Sequence, residues 1–249
     1  MSSTPPLAGE PPAYLLFGAS GGIGQATARR LAAAGARVAL ASRASDRLDA
    51  LAAELGAPAY PLDAADFDAV EACAAGVREA FGRLDGIANC VGSLLLKPAH
   101  LTKSDEWQQT LAANLTSAFA VVRGAAKTMP EGGAVVLMSS AAGRIGLANH
   151  EAIAAAKAGV IGLAKAAAAT YARRGLRVNV VAPGLVKTPL TQRIWESERA
   201  AAASVALHPL GKLGEPADIA SLIAWLLNPE NRWITGEVIS VDGGLSTAK

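Results

Sequence analysis

The chain has 249 residues, 51% hydrophobic and 18% charged, with a formal net charge of +2. That supplies enough apolar surface for a sizeable core, and a near-neutral balance with no basic or acidic run argues against nucleic-acid binding through a charged patch. Aromatics are only 4%, so the core is expected to be built from Ala, Val, Leu and Ile.

Residues 1–12 hold Pro5, Pro6, Pro11 and Pro12 but no basic n-region or apolar h-region. They read as a disordered tail rather than a signal peptide. The run 13–18 (AYLLFG) predicts a first strand, followed by a helix over 22–34. Strand 37–42 (RVALAS), helix 45–55, a weaker strand 57–62 and helix 66–81 come next. Strand 84–89 (LDGIAN) precedes one long helix over 104–129. Strand 134–139 (AVVLMS), an Ala-rich helix over 149–173 and strand 176–181 (LRVNVV) follow. A polar, partly helical segment, a helix over 216–227 and a last strand over 238–241 complete the pattern.

The strands are continuously apolar, as suits strands buried on both faces. Their alternation with helices predicts an α/β fold, a doubly wound, Rossmann-type parallel sheet of about seven strands with helices on both faces. No repeat or composition break divides residues 13–249, which are read as one domain. Cys73 and Cys90 match no disulfide framework or metal spacing and are read as small packing residues, with no metal expected. The most apolar stretch, 152–169, carries Lys157 and Lys165, so no membrane partner is expected and the protein is read as cytoplasmic.

Gly18-Ala-Ser20-Gly21-Gly22-Ile23-Gly24 lies between the first strand and the first helix. Glycines there permit a tight turn and a close approach of backbone to a pyrophosphate, and the helix N-terminus behind them offers free N–H groups. The second strand ends Ala41-Ser42-Arg43. An acidic residue at this point would bind ribose hydroxyls and favour NAD. Arg43 instead suits a 2′-phosphate, so NADP(H) is favoured over NAD(H).

In order along the chain, these motifs resemble the short-chain dehydrogenase/reductase family, closest to its 3-ketoacyl-carrier-protein-reductase-like branch. The glycine loop matches, although Phe17 stands where the family usually has Thr. Leu62-Asp63 is similar to its adenine-contacting Asp, and Asn89-Cys90-Val91-Gly92 to its Asn-Asn-Ala-Gly motif. Asn114 matches its structural and proton-relay Asn, Ser140 its catalytic Ser and Lys157 its catalytic Lys. Asn179 to Thr188, with Pro183, Gly184 and Val186, resembles the segment against the nicotinamide, and residues 233–244 resemble the C-terminal signature. The resemblance implies hydride transfer between a nicotinamide and a carbonyl or alcohol carbon of a small molecule. It also implies a homotetramer built through the two long helices and the C-terminal strand.

One departure bears on the chemistry. The family's general acid/base is a Tyr four residues before the Lys, where a neighbouring ammonium favours the phenolate. This chain has Ile153 there. Tyr171 is the nearest tyrosine beyond Lys157, about 21 Å away along a helix. Three readings stay open. His150, spaced to share a helical stripe with Ile153 and Lys157, supplies the proton; or the substrate, largely apolar like the loops expected to hold it, needs no protein acid, as with an activated C=C or an iminium; or the chain is a catalytically silent dinucleotide-binding subunit, sensor or assembly protein. Arg144, in a loop expected at the mouth, is read as able to hold an anionic group.

Overall fold

The structure, a computed structural model, describes residues 10–248. Of the predicted tail, residues 1–9 lie outside that range. Pro12 belongs to the fold, because its carbonyl accepts from the Arg37 amide at 2.8 Å.

Sixteen strands and helices follow one another. They are β1 (Ala13–Phe17), α1 (Gly22–Ala33), β2 (Arg37–Ser42), α2 (Asp46–Leu55), β3 (Ala59–Pro61), α3 (Phe67–Phe81), β4 (Gly86–Asn89), α4 (Ser104–Leu111), α5 (Ser117–Thr128), β5 (Gly133–Met138), α6 (Glu151–Tyr171), β6 (Leu176–Pro183), α7 (Gln192–Trp195), α8 (Glu198–Leu207), α9 (Pro216–Leu227) and β7 (Val238–Val241). The sheet runs β3-β2-β1-β4-β5-β6-β7, and every pairing is parallel. Chain order reverses between β1 and β4, the switch point where such sheets open a crevice at their carboxyl ends.

Alternation along β1 divides the core. Leu15 and Phe17 pack with residues of α3, α5 and α6, while Tyr14 and Leu16 pack with residues of α1, α2 and α9 on the opposite face. The central strands are therefore buried on both sides, which is why their sequences read as unbroken apolar residues, while the edge strands β3 and β7 are only partly buried. Local chemistry sets the helix starts: the Ser45 hydroxyl and the Asp66 carboxylate accept from first-turn amides of α2 and α3.

Most predicted elements differ by one or two residues at their ends, β3 being 59–61 against 57–62 and β4 86–89 against 84–89; three differences bear on the site or the sheet edge beside it. The helix expected over 104–129 is interrupted by a wider turn, Ala112–Thr116, between α4 and α5. Inside it the Asn114 side chain donates to the Thr110 carbonyl at 2.9 Å, taking up a group that this wider turn leaves free. The helix expected from residue 149 begins at Glu151, with Asn149 in the left-handed region at φ 63° and His150 as the N-cap. The Lys97 amide holds the Asn149 carbonyl at 2.8 Å. Strand β6 runs on to Pro183, two residues past the prediction.

Residues Glu151–Arg174 are long and apolar enough to cross a bilayer by length and composition. Here they form a core helix instead: Val160, Ala164, Ala167 and Ala168 pack into one of the two clusters against the sheet.

Candidate active site

In a parallel sheet all carboxyl ends lie along one edge, so turns far apart in sequence converge there. Gly18 leaves β1 at φ 74°, and a Cβ on it would stand 2.6 Å from the Val91 nitrogen and 2.7 Å from the Cys90 carbonyl carbon. The turn closes through the Gly21 amide on the Gly18 carbonyl at 3.1 Å. No side chain caps α1, and its first turn holds no acidic residue. Its N–H groups and positive dipole end are therefore open to an anion, and the loop fits a pyrophosphate. Gly22 faces Thr188, whose Cγ2 would lie 3.0 Å from a Cβ there.

Gly24 is the tightest point, since a Cβ would lie 2.2 Å from the Gly18 carbonyl oxygen. Gly24→Ala must push the loop off the helix. We expect it to abolish nucleotide binding and to destabilise the chain by about 1–3 kcal/mol. Nucleotide titration and denaturant unfolding of the same variant measure the two effects.

At the carboxyl end of β2, the Ser20 and Ser42 hydroxyls are 2.6 Å apart, joining the glycine loop to that strand. Arg43 is exposed and has no ion pair among the described residues. Asp63 follows β3, its carboxylate accepting the Ala65 amide at 2.9 Å. Ile23, half-buried in the first turn of α1, lies between loop and helix.

Asn89 is buried and orders the exit of β4 by accepting the Val91 amide at 3.1 Å. A Cβ on Gly92 would lie 3.1 Å from Asn114 Oδ1 and 3.5 Å from Lys157 Nζ, so these three predicted site residues meet. Asn114 also accepts the Ser93 amide at 3.2 Å and donates to the Ser93 hydroxyl at 2.9 Å. Lys157 is 7% exposed and donates to the Met138 carbonyl at 2.9 Å. Burial pulls its amine down to about 8, against an upward pull from Cys90. Burial pushes the Cys90 thiol up to about 12, against the Thr27 hydrogen bond and the Lys157 charge, so the thiol is a poor nucleophile.

Ser140 Oγ accepts the Ala142 amide at 3.2 Å, leaving its O–H free to donate towards a substrate oxygen. Its neighbour Ser139, which the sequence reading left without a role, points the other way and donates to the Lys157 carbonyl at 2.8 Å. Together with Gly143, where a Cβ would meet the Lys157 carbonyl carbon at 2.9 Å, it locks α6 onto the end of β5. Alternation along an extended run was the available signal, because consecutive serines face opposite ways.

Ile153 lies one turn before Lys157 and is 3% exposed; it carries no titratable atom. His150 stands at the N-cap of α6, its carbonyl accepting the Ala154 amide at 2.7 Å. It precedes the first residue of α6, and its Nδ1 lies 2.7 Å from the Ala148 carbonyl. Arg144 is exposed and donates from one nitrogen to the Ser240 hydroxyl of β7, with no ion pair among the described residues. Beyond β6, Gly184 to Val186 lead to Thr188, whose carbonyl accepts the Trp195 indole N–H at 3.0 Å. Exposed apolar side chains flank this region: Leu96 after β4, and Leu190, Leu207 and Leu210 in the segment after β6.

The family model described as enoyl-(acyl carrier protein) reductase matches residues 18–246. D-threitol dehydrogenase of Mycolicibacterium smegmatis is 37% identical over 237 residues, covering 92% of this chain and 91% of that one. The 3-oxoacyl-(acyl-carrier-protein) reductase of Vibrio cholerae is 37% identical over 241 residues, covering 93% and 96%. Among solved structures, a variant of actinorhodin polyketide ketoreductase with NADPH superposes with a TM-score of 0.90 at 29% identity, covering 95% of this chain and 98% of that one.

Proposed function

The chain belongs to the short-chain dehydrogenase/reductase family, and from that premise we propose that it is an NADP(H)-dependent oxidoreductase whose active site works without the Tyr general acid/base. The observation that carries this reading is a glycine cradle open to an anion on the same sheet edge as Asn114 and Lys157, which meet at Gly92, with Ser140 two residues beyond the Met138 carbonyl that Lys157 holds. When bound, the nicotinamide would supply or accept hydride. Gly18, Ser20, Gly22, Ile23 and Gly24 hold the pyrophosphate, with Asp63 at the adenine and Asn89 and Gly92 lining the middle. Lys157 bonds the nicotinamide ribose, and Pro183, Gly184, Val186 and Thr188 form the wall of the nicotinamide end. Ser140 donates a hydrogen bond to the substrate oxygen.

With Ile153 at the acid/base position, the substrates that suit this site are those whose hydride acceptor needs no protein proton donor: an activated C=C or an iminium. His150 is the remaining candidate donor, placed beside the start of α6 and tied to Ala148. The exposed leucines around the site support a small, largely apolar substrate. Exposed Trp107 and Phe119 on α4 and α5, and Trp233, 96% exposed just before β7, support assembly of copies of this cytoplasmic protein into a homotetramer.

Titration with NADPH and NADH, read by nucleotide fluorescence, tests the cofactor assignment. NADPH should bind more tightly, and Arg43→Ala should weaken NADPH by roughly tenfold while leaving NADH nearly unchanged, as loss of one charge-assisted phosphate contact predicts. An equal effect on both nucleotides would remove Arg43 from the 2′-phosphate. No binding of either would sink the enzyme reading and leave an assembly protein that kept the fold; binding without turnover would favour a catalytically silent dinucleotide-binding subunit or sensor, for which the missing Tyr is the favouring observation.

A further inference from the structure

We infer that His208 is a positioning residue: its imidazole ties the end of α8 to the backbone strap 183–188 and holds that strap in its cofactor-receiving shape before any nucleotide arrives. The inference rests on the reading of this strap as the wall of the nicotinamide end.

His208 directly follows α8 and is 5% exposed. Its Nδ1 lies 2.7 Å from the Ser204 carbonyl. A carbonyl only accepts, so Nδ1 carries the proton and Nε2 is left as an acceptor. Nε2 takes the Leu185 amide at 3.1 Å. The ring is therefore a two-ended strut with both nitrogens engaged. Gly184 is the residue that lets it approach: a Cβ there would lie 2.6 Å from Nε2 and 3.0 Å from the Asp242 Cα.

The other bonds to the strap do not replace this one. The Leu185 carbonyl accepts from Gly214 at 3.0 Å, and the Lys187 amide donates to the Gly214 carbonyl at 2.9 Å. The Val186 carbonyl accepts the Thr191 hydroxyl at 2.5 Å. Among the described residues the Leu185 amide has no acceptor but His208. The nearby carboxylate of Asp242 is committed to the Gly244 and Ser246 amides, each at 3.0 Å. Packing does not back the strap along its whole length either, because a cleft of about 500 Å³ opens beside Gly184, Leu185, His208, Leu210 and Lys212. Without the strut, the Leu185 amide would turn towards water in that cleft, and only a fraction of molecules would present the strap correctly. Apparent affinity falls in proportion to that fraction.

Two variants separate the strut from mere stabilisation. His208→Gln carries an amide oxygen to the place of Nε2, keeping the acceptor for Leu185 and losing the donor to Ser204. His208→Asn reaches only as far as Nδ1, keeping that donor and stranding the Leu185 amide. Both lose the ring, so both should lower the melting temperature to a similar extent. Amide exchange of segment 183–188 in the nucleotide-free chain should accelerate in Asn and stay close to wild type in Gln. NADPH affinity should fall about tenfold in Asn, the effect of about one molecule in ten presenting the strap correctly, and little in Gln. Equal exchange and equal affinity loss in the two variants, tracking their melting temperatures, would overturn the inference. So would wild-type behaviour in Asn. If wild-type protein fails to bind NADPH, the proposed function fails, while the exchange comparison still decides the role of His208.

Discussion

Replacing Lys157 by Met is expected to stabilise the nucleotide-free chain at neutral pH and to weaken NADPH binding at the same time. The ammonium is 7% exposed, makes no ion pair among the described residues, and has the Met138 carbonyl as its one hydrogen-bond partner. Its folded pKa, about 8, lies below the ordinary 10.5 because burial disfavours the charge. Below pH 8 both folded and unfolded chains hold the proton, and the full penalty acts on the fold. Between about 8 and 10.5 the unfolded chain binds the proton and the folded chain does not, so stability rises with pH across that window. A difference of this size corresponds to a penalty on the order of 3 kcal/mol.

Methionine keeps most of the stem volume and carries no charge. It leaves the Met138 carbonyl without its donor, a loss of about 1 kcal/mol, so the net gain at pH 7 should be about 1–2 kcal/mol. Urea unfolding at pH 7 and pH 10 checks this: the variant should be the more stable at pH 7, and its advantage should shrink at pH 10. NADPH affinity should fall by about tenfold or more, the loss expected when a charged hydrogen-bond donor to the ribose is removed. A variant less stable than wild type at pH 7 would mean that the buried ammonium is fully satisfied in the fold. Unchanged NADPH affinity would remove Lys157 from the cofactor site. A residue retained against stability is the usual signature of a functional group.

Ile153→Tyr should raise the rate of ketone reduction over wild type by about 10² to 10⁴. Positions 153 and 157 are one turn apart on the buried face of α6, so a phenol at 153 would stand beside the ammonium. That neighbour favours the phenolate and moves the group towards working pH. The larger ring enters a position that is 3% exposed, and overpacking there should lower stability by about 1–3 kcal/mol. The measurement is NADPH oxidation with a saturated ketone and with its α,β-unsaturated counterpart, with products identified. Wild type should reduce only the C=C bond, and the Tyr variant should also form the alcohol. Ketone reduction by wild type that disappears in His150→Ala would instead assign the proton to His150 and withdraw the reading of a donor-free substrate.

Much of this architecture was legible before any coordinates. Unbroken apolar strands alternating with helices specify a parallel sheet, because each strand must be buried on both faces. A parallel sheet in turn brings all its carboxyl-end turns to one edge. That is why Gly18 and Ser42, read from the glycine loop and the second strand, and Asp63, Asn89, Ser140 and Pro183, implied by the family resemblance, all follow or end strands at one edge. The glycine loop was equally legible, since the lack of a side chain is itself the feature the close contacts at Gly18 and Gly24 demand.

Other features needed the tertiary structure, and each depends on a partner distant in sequence. The wide turn at Asn114 is stabilised by bonds to Ser93, 21 residues away. Helix α6 starts only after Asn149, in a segment that the Lys97 amide pins there, and leaves His150 as its N-cap. Ser139 and Ser140 divide their tasks only once α6 packs across β5, and the lone partner of the Lys157 amine among the described residues is a backbone carbonyl 19 residues earlier. His208 is silent in the sequence and becomes a strut only when α8 folds back over the end of β6. Periodicity and motif spacing record what a residue needs from its own element. Which donor meets which acceptor across elements is decided by packing, where a shift of an ångström makes or breaks the bond.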